Sequence, residues 1–94
     1  MSITIRELSQ NKFEVIVKKI SITKHIVLLS DQFYEELSDI KISKKKLLNY
    51  SFNFLLERES NASILPNFKL EIISKYFPEF EVEIKKKIKR EVEK

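Results

Sequence analysis

The chain has 94 residues and no glycine. Glycine reaches left-handed backbone without steric cost. Here every turn that needs a positive φ must use Asn, Asp, Ser or Lys instead. The glycine-rich loops that cradle phosphates and dinucleotides are excluded. Cysteine is also absent, which rules out disulfides, a thiolate nucleophile and cysteine-based zinc sites. A small domain without such staples fits a reducing compartment. The opening MSITIRELSQ lacks the basic start and long apolar run of an export signal. No stretch approaches the roughly 18 apolar residues of a membrane span. The expected location is the cytoplasm.

Hydrophobic residues make up 43% and charged residues 34%, the balance of a globular chain. One domain is expected over residues 1–94, with strands in 1–29, helices in 30–94 and fraying in the last turns. Ile3 and Ile5 alternate with Thr4 and Arg6, and Phe13, Val15 and Val17 alternate with polar neighbours, apart from Ile16. That is the period of strands. Polar breaks fall at Ser9 to Lys12 and at Lys19 to Thr23, and His25 to Leu29 forms a third apolar run. Short connections predict an antiparallel sheet of two or three strands.

Ser30 before Asp31 marks a helix start, and that helix ends near Asp39. Ser43 caps the strongest element, a helix from Lys44 to Arg58. Its apolar residues (Leu47, Leu48, Phe52, Leu55 and Leu56, widened by Tyr50 and Phe54) cover more than one stripe. Such a helix packs on more than one side. A single turn is expected from Ser63 to Pro66. A short amphipathic helix carries Phe68, Ile72, Ile73 and Tyr76 and ends at Pro78. Glu79 to Lys94 resumes as a helix with Phe80, Ile84, Ile88 and Val92 on one stripe. The fold class is α+β, an N-terminal sheet followed by three or four helices. Leu47, Phe52, Leu55, Ile73 and Phe77 are the expected core.

His25 is the only histidine. With no nucleophile near it in sequence it reads as structural. The spread carboxylates read as solvated helix faces. Arg58, between Glu57 and Glu59, is placed to tie the helix end to a carboxylate. Tyr76, Phe77, Pro78, Glu79 and Phe80 form an aromatic cluster around a proline, suited to a helix corner whose rings close the core. Tyr76, Phe77 and Phe80 are also the candidate partner contacts.

Two resemblances are carried by these residues. Ile26-Val27-Leu28-Leu29, then Ser30 to Leu37, then Ile42 to Arg58 resembles the ribbon-helix-helix family of DNA-binding repressors and antitoxins over residues 25–58. The resemblance implies a strand that pairs with a dimer mate and reads the major groove through Lys24, Ile26 and Leu28. It also implies phosphate contacts from Ser43 and Lys44. The pattern Phe52-x-Phe54-Leu55-Leu56-Glu57-Arg58-Glu59, Ser63-Ile64-Leu65 and Tyr76-Phe77-Pro78-Glu79-Phe80-Glu81 resembles a group of small uncharacterised bacterial proteins. It implies a fold and no chemistry.

The net charge is +4, which permits acidic partners without specifying one. A run at Lys85, Lys86, Lys87, Lys89 and Arg90 reads as a solvated tail. The expected function is a non-enzymatic interaction or structural module with no cofactor and no metal. Its expected partner is another protein or a second copy of the chain, as a homodimer. DNA binding of the ribbon-helix-helix type is the alternative. No membrane partner is expected.

Overall fold

A computed structural model describes residues 1–93. The order of elements is β1 (Ser2–Ser9), β2 (Lys12–Lys18), β3 (Ile22–Leu28), α1 (Asp31–Ser38), α2 (Lys44–Leu56), β4 (Asn67–Lys69), α3 (Ile73–Tyr76) and α4 (Phe80–Val92). Single 3₁₀ turns occupy Asn61–Ser63 and Leu70–Ile72. The class is α+β, as the patterning predicts. The sheet has four strands in the order β1-β2-β3-β4 and is mixed, because β4 joins β3 in parallel. The expectation of two or three antiparallel strands is corrected here. Phe68, assigned by pattern to a helix, lies in β4, inside the stretch expected to be all helical.

The absence of glycine shows in the turns. The β1–β2 hairpin closes over Gln10 and Asn11, with a register shift between Glu7 and Ser9. No residue of that turn has a positive φ. A bulge takes up the twist that a glycine-containing turn would otherwise supply. Among the described residues only Asp39 (φ 53°) and Ile40 (φ 58°) are left-handed, at the end of α1. Asp39 is a residue type expected for that role. Ile40 is not, because its branched Cβ crowds the backbone there. The corner is held by its neighbours. The Asp39 N–H donates to the Glu35 carbonyl at 2.8 Å, the Ile40 N–H to Ser38 Oγ at 3.2 Å, and the Tyr34 hydroxyl to the Ile42 carbonyl at 2.5 Å.

The helices cover one face of the sheet. Phe13, Val15, Val17 and Val27 are buried on that face together with Leu47, Leu48 and Phe52 of α2 and Phe80, Ile84 and Ile88 of α4. Leu55 and Ile73 are buried as expected. Phe77 is only half-buried and packs against the core from outside. Val92 is 48% exposed, so the α4 stripe ends at Ile88. Lys94, the last residue of the expected helix, lies outside the described residues.

Caps follow the serines. Ser30 Oγ accepts from the Phe33 N–H, and Ser43 Oγ accepts from the Lys46 N–H, both at 3.1 Å. The three lysines opening α2 oppose its dipole, and two of them find carboxylates. Lys44 Nζ pairs with Asp31 at 2.5 Å, and Lys46 pairs with Glu91 of α4.

The other face of the sheet carries no helix. Register and alternation place on it Thr4 and Arg6 of β1, Lys12, Glu14, Ile16 and Lys18 of β2, Ile22, Lys24, Ile26 and Leu28 of β3, and Asn67 and Lys69 of β4. Glu14 is 8% exposed. Arg6 at 3.3 Å and Lys24 at 3.6 Å flank its carboxylate from the neighbouring strands.

Candidate functional site

The clearest concavity lies where the end of α2, the segment 63–68 and the turn into α3 meet. It is a cleft of about 390 Å³, within the size range of ligand pockets. Leu55, Ile64 and Ile73 form its buried floor. The segment leading into β4 contributes Leu65 and Phe68, and the stretch through α3 contributes Ile72, Tyr76 and Phe77. Leu65 is 44% and Tyr76 65% exposed. The charged group at the rim is Glu59, which is half-buried, with Ser63 beside it.

Each wall is fixed by chemistry outside the cleft. His25 is buried in β3, and its Nδ1 lies 2.8 Å from the Leu65 carbonyl while Nε2 lies 2.8 Å from Thr23 Oγ1. A carbonyl only accepts, so Nδ1 carries the proton. Nε2 then accepts from the Thr23 hydroxyl. Asn61 Nδ2 donates to that same hydroxyl oxygen and to the Ser21 carbonyl, each at 3.1 Å. The His25 ring also lies 5.5 Å from that of Phe52. His25 thus fastens the Leu65 wall to the sheet, in keeping with the structural role read from the sequence. Pro66 completes the join, because its carbonyl accepts from the Ile26 N–H at 2.8 Å.

The other wall is set by Pro78. Phe77, ahead of it, is extended (φ −132°, ψ 89°), as a residue before proline must be. That bend turns the Phe77 ring edge-on to Phe54, with centroids 5.8 Å apart. Arg58 pins the corner. Its Nε lies 3.2 Å from Glu79, its Nη1 donates to the Phe54 carbonyl at 3.0 Å, and its guanidinium covers the Phe54 ring at 3.5 Å. The tie expected of Arg58 is therefore made to Glu79. The Glu79 carboxyl is held below its ordinary value, first by its own backbone N–H and then by Arg58.

The aromatic cluster divides into three. Phe80 is 0% exposed and belongs to the core, Phe77 is half-buried in the cleft wall, and Tyr76 projects outward. Tyr76 and Phe77 reach the surface, while the Phe80 ring is enclosed and cannot make the partner contact expected of it. The expectation that all the rings close the core is corrected for Tyr76. The sequence names Glu59 beside Arg58, Leu65 in the Ser63-Ile64-Leu65 pattern and Phe68 on a helical stripe, but it does not bring them together as a site. No local pattern could, because the cleft forms only when β4 pairs with β3.

The ribbon-helix-helix geometry is not formed. β3 is an inner strand, paired with β2 along its length and with β4 at Ile26–Leu28, so that stretch offers no edge to a dimer mate. Ser43 Oγ is occupied as the α2 cap. Lys44 Nζ is held by Asp31 and by Asn11 Oδ1 at 3.1 Å. Among the described residues no three His, Cys, Asp or Glu side chains converge as a metal site, and no helix is long and apolar enough to cross a membrane. Comparison with known protein families, with curated proteins and with solved structures finds no match to this chain.

Proposed function

We propose that the protein is a non-enzymatic interaction module, and that the cleft between Leu65 and Tyr76 takes a short apolar segment of a partner protein. The observation that carries this reading is the exposure of Leu65 and Tyr76, which line one apolar cleft. Both walls are braced from behind, by His25 and by Arg58. A braced wall limits the ordering cost of binding. A tyrosine beside buried aliphatics is the usual anchor of an interface. Glu59 at the rim favours a partner segment with a cation or an N–H donor next to its apolar anchor.

Selection of displayed random peptides against the full chain tests this. Enrichment of sequences with one or two large apolar anchors is the expected result. Their binding should weaken at least tenfold, about 1.4 kcal/mol, for Leu65→Ser and Tyr76→Ser. Both positions are exposed, so the fold should survive these changes. Binders indifferent to both substitutions, or no enrichment, would contradict the reading. Light scattering of the purified chain separates a second copy from another protein as the source of the segment.

A further inference from the structure

The helix-free face of the sheet shows a charge pattern that the cleft does not use. Five cations stand on it: Arg6, Lys12, Lys18, Lys24 and Lys69. The one carboxylate among them, Glu14, is buried between Arg6 and Lys24. Among the described residues the remaining surfaces carry 12 Lys and Arg against 13 Asp and Glu. The excess of positive charge among those residues therefore stands on this face. A face that serves only solubility mixes the signs. Lys12, Lys18 and Lys69 make no ion pair among the described residues.

Between the cations the face is aliphatic. Ile22 is 70% and Leu28 42% exposed. Leu28 and Ile26 lie in a shallow depression of about 440 Å³ with Lys12 and Lys69 on its border. The rows of this face repeat about every 6.6 Å along the strands, so the cations are spread over the sheet instead of clustered at one point.

We infer that this open sheet face binds the backbone of a single-stranded nucleic acid. The surface is amphipathic, with a cationic periphery and an apolar middle. An unpaired strand has the same two parts, phosphates and exposed bases. A duplex buries its bases and has nothing to place on Ile22, Ile26 and Leu28. One aromatic, the half-buried Phe68, reaches the depression, which is short of the several stacked rings of a sequence-selective platform. Recognition is through phosphate charge and is indifferent to base sequence. The inference rests on the cations of the sheet face and not on the cleft, with which the depression shares Phe68 alone.

Fluorescence anisotropy with a labelled 20-nucleotide oligo(dT), and with oligo(rU), tests it on the full chain. Engaging four phosphates at about −0.7 in log K per log salt weakens binding about 50-fold between 50 and 200 mM salt. The variant Lys12→Gln/Lys18→Gln/Lys69→Gln should lose at least about tenfold in affinity at 50 mM salt and flatten the salt slope by about 2. The variant Lys85→Gln/Lys86→Gln/Lys89→Gln on α4 changes net charge equally and should stay within about twofold, well inside the phosphate term. Methyl signals of Ile16, Ile22 and Ile26 in the unmodified chain should shift on adding oligo(dT), a readout that needs no variant. Equal losses in the two variants would reduce the effect to net charge and overturn the inference. So would absence of binding at 50 mM salt, tighter binding of a duplex of the same length, or binding confined to phosphatidylserine vesicles.

Discussion

Ile40 is the residue most at odds with its backbone. A branched side chain at φ 58° costs roughly 1–3 kcal/mol. It persists because Ser38, Glu35 and Tyr34 fix the residues on either side. The side chain is 62% exposed, so little packing is lost on removing it. Ile40→Gly should therefore stabilise the protein by about 1 kcal/mol, the relief of strain exceeding the added freedom of the unfolded chain. Urea titration measures this, and a lower midpoint would contradict it. His25 lies at the opposite extreme, with both ring nitrogens bonded and the ring buried. His25→Leu keeps the bulk but strands Thr23 and the Leu65 carbonyl, for an expected loss of about 2–3 kcal/mol. Glu79 binds its proton less tightly in the folded state than in the unfolded chain. Its contribution to stability is thus full above the ordinary value of 4.5 and disappears as the pH falls through the lower folded value. In Arg58→Gln the backbone N–H remains. The Glu79 carboxyl, followed by NMR, should rise only part of the way back. A full return to the ordinary value would place the larger cause in Arg58.

At the scale of elements, the short parallel strand β4 decides the shape of the cleft. Phe68 holds it, with its ring 6.0 Å from that of Phe52. Phe68→Ala should loosen β4 while leaving β1, β2 and α2 in place. Hydrogen exchange should then quicken at the Ile26 N–H, which donates to Pro66, and stay slow at Val15 and Leu48, buried in the core. Uniform quickening would mean that β4 is part of the global folding unit. This strand also marks where sequence reading ends. β1 and β2, the two serine caps and the central helix are legible because each rests on local alternation, helical spacing or a cap. β3 is displaced in the reading, since Lys19 to Thr23 looks like a break and the apolar run starts at His25, yet the strand begins at Ile22. β4 has three residues, too few to show a period, and its partner is more than forty residues earlier in the chain. The rims of the cleft inherit that limit. Tyr76 and Phe77 stood out as aromatics beside a proline, whereas Leu65, Phe68 and Glu59 become neighbours only through the long-range pairing.

The molecule as a whole has two unlike surfaces set on one thin core. On the helical side the described charges nearly balance, and an apolar cleft opens between the end of α2 and α3. On the bare side of the sheet five cations surround one carboxylate, Glu14. The floor of the cleft is part of the core, but the exposed Leu65 and Tyr76 on one surface and Ile22 and Leu28 on the other can be altered separately, as additivity for distant sites requires. The surfaces are also separable by observation, because isoleucine and leucine methyls line both. The most direct test of the interaction-module account is a methyl NMR titration of the full chain with a selected apolar peptide. The account predicts shifts at Leu55, Ile64, Leu65, Ile72 and Ile73, with Ile16, Ile22, Ile26 and Leu28 unmoved. Shifts confined to the second group, or spread over both, would contradict a partner seated in the cleft.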